Sequence, residues 1–247
     1  RSYRFILHAS TSPLYNPLTP QISTIRLLKL PNPQNVSSEF DLVTVSLDDK
    51  PRYAALSYLW GDPKNYGEVI IKGHTVRVPN NLASAFLWVL DDEPFRDQTY
   101  VRYLWADAIC INQNDLDERS EQVQLMSRIF GSAHFTIAWL GPKDHSLAFE
   151  TIQALADIQD QNMPSARPPS RPSFNLDWLQ HHPQLFPEGP ELTNNHLNDP
   201  WFALADLLQH QYWKRVWIFQ EVVLTDPLVL ISPGGAMLDW SILRETA

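Results

Sequence analysis

The sequence predicts an α/β fold, a mostly parallel sheet flanked by helices, and three observations predict it. First, Tyr53–Trp60, Tyr103–Ile111 and His134–Leu140 are short, nearly continuous apolar runs. That pattern belongs to strands covered on both faces. Second, each run ends at a turn signal or polar loop: Gly61-Asp62-Pro63, Asn112–Arg119 and Gly141-Pro142. Third, segments with helical apolar spacing lie between them, at Leu82–Leu90 and Ser120–Phe130. Strands alternating with helices imply crossover connections and a parallel sheet.

Residues 1–20 are mixed in character, with three prolines, and read as an extended lead-in. Ile22–Lys29 and Phe40–Leu47 follow as extra N-terminal strands, parted by Pro31-Asn32-Pro33. Glu68–Ile71 and Thr75–Val78 flank Lys72-Gly73-His74, the signature of a β-hairpin. Asn80 or Asn81 caps the helix Leu82–Leu90. Tyr103–Ile111 is a buried strand interrupted by Asp107, and the helix after its polar loop carries Val123, Met126 and Phe130 on one face. Phe149–Ile158 reads as helix. Asn162–Pro200, with eight prolines and His181-His182, reads as an irregular insertion. Trp201–Gln209 and Trp213–Leu224 are helical in pattern, and Leu228–Ile231 is a last strand before Pro233-Gly234-Gly235.

Composition narrows the function. The 247 residues, 44% apolar and 19% charged, can bury an ample core and suit one large globular domain or a domain with insertions. Nineteen basic against 28 acidic residues give a net charge of −9, which excludes a general nucleic-acid surface. No run reaches the roughly 18–20 apolar residues of a membrane span. The single Cys110 excludes an internal disulfide and fits a reducing compartment, so a cytoplasmic protein is expected. The missing initial Met, and the helical look of Glu245-Thr246-Ala247, suggest a fragment of a longer chain. Neither Gly-x-x-x-x-Gly-Lys nor Gly-x-Gly-x-x-Gly occurs, and the scattered His residues make no metal set.

Glu221 is the strongest functional lead. It stands within Arg215-Val216-Trp217-Ile218-Phe219-Gln220-Glu221-Val222-Val223-Leu224, where packing strips water from its carboxylate and demands a partner, a ligand or a proton. Trp217, four residues earlier, shares its face if the segment is helical. Two readings stand: a reacting carboxylate, or a buried acid paired with Arg215, Lys214 or a helix terminus. Trp217 is a stacking wall or core. Ser57, Trp60, Gly61 and Asp62 lie at and beyond a strand's carboxyl end, where open parallel sheets bind ligands; the competing reading is a plain turn. Asp107 is a binding residue or a hydrogen-bond hub. Asn112 and Gln113 open the following loop and face the same choice. Arg119 is a phosphate clamp or a solvated partner of Glu118 or Glu121. Asp115 and Glu118 have the spacing of a capping box. Cys110 reads as a buried small hydrophobe.

The motifs Ala55-Leu56-Ser57-Tyr58-Leu59-Trp60-Gly61, Trp105-Ala106-Asp107-Ala108-Ile109-Cys110-Ile111-Asn112-Gln113, Glu118-Arg119-Ser120-Glu121-Gln122-Val123, Trp139-Leu140-Gly141 and Arg215-x-Trp217-x-x-Gln220-Glu221 stand in one order. That order resembles the fungal heterokaryon-incompatibility (HET) domain over roughly residues 53 to 224. The resemblance implies a single domain over 1–247: an N-terminal extension (1–52), a first half (53–141), an insertion (142–200) and a last part (201–247). It also implies a role in cell death after fusion of genetically different fungal cells, with an incompatibility partner. The layout is more distantly similar to TIR domains, flavodoxin-like folds of which some cleave NAD. There the Trp-x-x-x-Glu motif carries the catalytic glutamate, which falls on Trp217 and Glu221 here. This second resemblance implies NAD or a related dinucleotide as substrate, no further cofactor, and self-association. The chain departs from TIR domains in its long insertion and extra N-terminal strands.

Overall fold

The computed structural model describes residues 14–19, 23–31, 39–62, 64–91, 101–162, 185 and 199–246. The expected lead-in falls mostly outside these residues, as do Asn32-Pro33 and nearly all of the proline-rich insertion with His181-His182.

Among the described residues nine strands form: β1 Thr24–Lys29, β2 Asp41–Ser46, β3 Ala54–Tyr58, β4 Tyr66–Ile71, β5 His74–Pro79, β6 Tyr103–Trp105, β7 Phe135–Trp139, β8 Leu228–Ile231 and β9 Met237–Asp239. Seven of them make one sheet in the order β2-β1-β6-β3-β7-β8-β9. Its centre, β6-β3-β7-β8, is parallel. The β1–β2 pair joins antiparallel at β6, and β9 closes the other edge antiparallel to β8. β4 and β5 form a separate hairpin.

The helices are α1 Asn80–Asp91, α2 Asp107–Cys110, α3 Leu116–Ser132, α4 Ser146–Asn162, α5 Pro200–Leu208, α6 Ile218–Val223 and α7 Trp240–Thr246. Alternation along the central strands feeds a core on each face of the sheet. Ile137, Trp139 and Ile231 join the larger cluster with β1, β3, α1 and α3, whereas Ala138, Leu140, Leu228 and Leu230 join the smaller one with α4. With both faces covered, these strands are apolar at nearly every position, which is why they stand out in the sequence.

Four expectations change. α1 begins at Asn80, so Asn80 and Asn81 lie within the helix, and the Asn81 side chain bonds the Leu59 carbonyl and Trp139 instead of capping it. Tyr103–Ile111 is not one strand: β6 ends at Trp105, and Asp107 opens α2. Ile109, Cys110 and Ile111 are apolar because they are buried, which helix and strand satisfy alike. α3 starts at Leu116 rather than Ser120, because the Asp115 carboxylate caps it, accepting from the Asp117 and Glu118 amides. Trp213–Leu224 is broken. A 3-10 turn, Gln211–Lys214, leads into extended backbone at Arg215 before α6 begins. The extended backbone at Arg215 goes with its side chain turning back to Glu221 and Ser57.

The chain passes from β3 to β6 on one side, then back across β3 to β7 on the other. This is the doubly wound, flavodoxin-like order, and its reversal leaves a crevice beyond the carboxyl end of β3. No helix among the described residues is long and apolar enough to cross a membrane.

Candidate functional site

Two hollows open beyond β3, and Leu59, Trp60 and Gly61 border both. The larger has a volume of about 530 Å³. Its walls are Trp60 and Gly61, then Asp107 and Gln113 beyond β6, Arg119 and Met126 of α3, and Arg215, Trp217 and Glu221.

Glu221 is only 1% exposed. Its Oε1 accepts from Arg215 Nη2 at 2.8 Å, and its Oε2 accepts from Arg215 Nη1 at 2.7 Å. The Ser57 hydroxyl also donates to Oε2. With its proton so used, Ser57 Oγ accepts from the Tyr212 hydroxyl at 2.5 Å and from Arg215 Nη1 at 3.1 Å. Tyr212, Ser57 and Arg215 thus all direct positive potential toward one carboxylate. Burial, then the Glu221 charge, push the Tyr212 phenol far above its ordinary range, which keeps it a donor. Burial pulls Arg215 down, but the Glu221 carboxylate outweighs it and holds the guanidinium above its usual value.

The break before α6 makes this pair possible. Positions six apart on an unbroken helix lie about 120° apart around the axis, too far for a two-pronged pair. Extended backbone at Arg215 lets its side chain turn back onto Glu221. Trp217 keeps its one-turn relation to the acid, since the Glu221 N–H donates to the Trp217 carbonyl at 3.3 Å. The indole remains 44% exposed beside the hollow, so it is a wall and not core.

Asp107 is both hub and wall. Its Oδ1 accepts from the Tyr58 hydroxyl at 2.6 Å and the Ala108 amide at 2.8 Å. Its Oδ2 accepts from Trp60 Nε1 at 2.9 Å, which fixes the indole at the border of the two hollows. Gln113 Nε2 donates to the Asp107 carbonyl at 2.9 Å. Arg119 is exposed and has no side-chain partner among the described residues, leaving a free cation at the rim.

The remaining expected residues divide. Ser57 stands behind Glu221 rather than on a wall, and Asp62 lines only the smaller hollow. Asn112 lines neither; its Oδ1 accepts from the Asn114 amide at 3.3 Å. Glu118 does not complete a capping box. Its carboxylate takes Arg26 Nη1 and Nη2 at 2.6 and 2.8 Å, and the Asn112 amide at 2.7 Å. Sequence reasoning passed over Tyr212 and Arg26. A lone Arg inside Thr24-Ile25-Arg26-Leu27-Leu28 was the available signal for the second, because a charge buried in a strand requires a partner. Cys110 is fully buried, and burial pushes its thiol up to about 12, as a small hydrophobe requires. Among the described residues no three His, Cys, Asp or Glu side chains come together as a metal cluster.

A family model described as "Heterokaryon incompatibility protein (HET)" matches residues 53–221. A Neurospora crassa protein, "Heterokaryon incompatibility protein 6, OR allele", is 38% identical over 124 residues. That match takes in 47% of this chain and 18% of the relative, so the chain spans under a fifth of the relative's length. No solved structure matches.

Proposed function

From the premise that this chain belongs to the heterokaryon-incompatibility (HET) family, we propose that it is a death effector of fungal allorecognition and cleaves the nicotinamide–ribose bond of NAD, with Glu221 as the catalytic carboxylate. The observation that carries this reading is a buried acid, paired with Arg215, bordering a hollow large enough for much of a dinucleotide.

Breaking the bond sends its electron pair to the pyridinium nitrogen, so nicotinamide leaves neutral and needs no general acid. Positive charge then develops at the ribose anomeric carbon, as in glycoside hydrolysis. Water adds there and loses a proton, giving ADP-ribose. A carboxylate beside that carbon stabilises the charge, and it must remain ionised to do so. Arg215 and Ser57 hold the Glu221 carboxylate in place by hydrogen bonds. Among the described residues Glu221 Oε1 accepts only from Arg215 Nη2, so one lone pair is left for the ribose. Trp217 offers a flat wall to the nicotinamide, and Arg119 a cation to the diphosphate. The reaction belongs to the cytoplasm, where NAD is at hand. Self-association and an incompatibility partner are part of the same proposal.

A second reading is a non-catalytic signalling module. The closed Glu221–Arg215 pair favours it, as does the exposed apolar row Val216, Phe219 and Val223 around α6. Incubating concentrated protein with NAD and following nicotinamide separates the two. The wild type should release it, Glu221→Gln should fall to background, and Trp217→Ala, at an exposed position, should retain its fold and lose about tenfold. Equal background release from all three would leave the signalling reading.

A further inference from the structure

The smaller hollow, about 250 Å³, lies between Gly61-Asp62 after β3 and Gly141-Pro142 after β7, beside the start of α1. We propose that it is a second ligand subsite, and that it takes the adenosine end of the dinucleotide whose nicotinamide end meets Glu221. This inference rests on the NAD reading and extends it.

Position is the first argument. The chain reverses at β3, and the crevice between β3 and β7 is where doubly wound sheets hold ligands. The larger hollow lies on the other flank, towards β6. Size is the second. At about half the larger volume, the smaller hollow suits one nucleoside and not a whole dinucleotide. Because Trp60 and Gly61 border both, one ligand can occupy the two together.

Chemistry is the third. No Lys or Arg lines the smaller hollow, so it is ill suited to phosphate. Apart from the Asp62 carboxylate, it presents neutral hydrogen-bonding side chains instead. Asn81 is already committed, with Nδ2 donating to the Leu59 carbonyl at 2.8 Å and Oδ1 accepting from Trp139 Nε1 at 3.1 Å. The side-chain amides of Asn65 and Asn80 have no hydrogen-bond partner among the described residues. His210 accepts from the Tyr212 amide at Nδ1, at 3.2 Å, so its neutral ring carries the proton on Nε2. One Asp62 oxygen accepts from the Lys64 amide, and the other is unused among the described residues. Paired donor and acceptor amides read the edge of a purine, and a carboxylate accepts from a ribose diol. Trp60, held by Asp107, supplies an aromatic surface at the join.

Two titrations test the assignment with adenosine 5′-monophosphate as the probe, on the wild type and on an Asn65→Ala/Asn80→Ala double variant. Both positions are exposed, so the fold should tolerate the change. Loss of two hydrogen bonds should weaken binding about tenfold or more. In turnover, the preference for NAD over nicotinamide mononucleotide, which lacks adenosine, should fall by a similar factor. Equal affinity of wild type and variant for the probe, or no binding to either, overturns the subsite. Probe binding that the variant loses, together with no nicotinamide release from the wild type, sustains the subsite and removes the cleavage reading.

Discussion

Replacing Arg26 with Met should be among the most damaging single changes this domain can suffer. Arg26 lies on β1, outside the matched stretch 53–221, yet it is 2% exposed and holds the loop that borders the larger hollow. Its Nη1 and Nη2 donate to Glu118 at 2.6 and 2.8 Å, to the Cys110 carbonyl at 3.3 Å and to the Asn16 carbonyl at 2.6 Å. Met preserves length and apolar contact but removes all four donors. Among the described residues Glu118, with its side chain 9% exposed, is then answered only by the Asn112 amide. Removing one partner of a buried pair typically costs about 3–5 kcal/mol. That is a large share of the about 5–15 kcal/mol that holds a domain folded. At about 2–4 °C per kcal/mol for a chain of this size, Tm should fall by about 6–20 °C. Urea unfolding followed by tryptophan fluorescence, beside a thermal melt, measures both quantities. Arg26→Met/Glu118→Leu should recover part of the loss, because no lone charge remains buried. A loss below about 1 kcal/mol for Arg26→Met, or a double variant as unstable as the sum of the singles, would refute the argument.

Two further outcomes follow from packing and titration. Gly67 on β4 has no room for a side chain, since a Cβ there would lie 2.3 Å from Ala83 Cβ on α1. Gly67→Ala should cost about 1–3 kcal/mol in urea unfolding, and Ala83→Gly in the same background should relieve it. No loss would mean that the hairpin shifts freely off α1. His145 and His210 stack edge to face, with centroids 5.5 Å apart, and both are held below the usual histidine pKa. Burial is the main cause for each. At His145 the charge of His210 adds to it, Asp206 and Asp144 oppose it, and Lys143 reinforces it. The folded chain therefore binds fewer protons than the unfolded one, and the pair's contribution is complete above the unfolded pKa of about 6.5 and is lost as pH falls below it. Unfolding free energies at pH 7.5 and 5.5 should differ less for His145→Gln than for the wild type; an equal or larger difference would contradict this.

Much of the scaffold was legible because its rules are local. β3, β7 and β8 are covered on both faces and so read as nearly continuous apolar runs, while Lys72-Gly73 marked the hairpin by offering positive φ at 49° and 75°. Ile109–Ile111 misled for the same reason: apolarity reports burial, and a buried turn of helix in so short a run has no separate signature. The break at Arg215 was illegible because it depends on what Arg215 meets across the fold.

The sequence alone determined that Glu221 would be stripped of water and in need of a partner, and that the ends of the parallel strands would face it. Tertiary structure decided the partner, since the choice between Arg215, Lys214 and a helix end turns on backbone direction at residue 215. It also decided that Tyr212 and Ser57 relay hydrogen bonds to the acid, and that a second hollow gathers Asn65, Asn80 and His210. Patterns along a chain encode periodicity and burial over a few residues, whereas a hydrogen bond spanning 155 residues, like that of Ser57 with Tyr212, exists only once the sheet has brought its ends together.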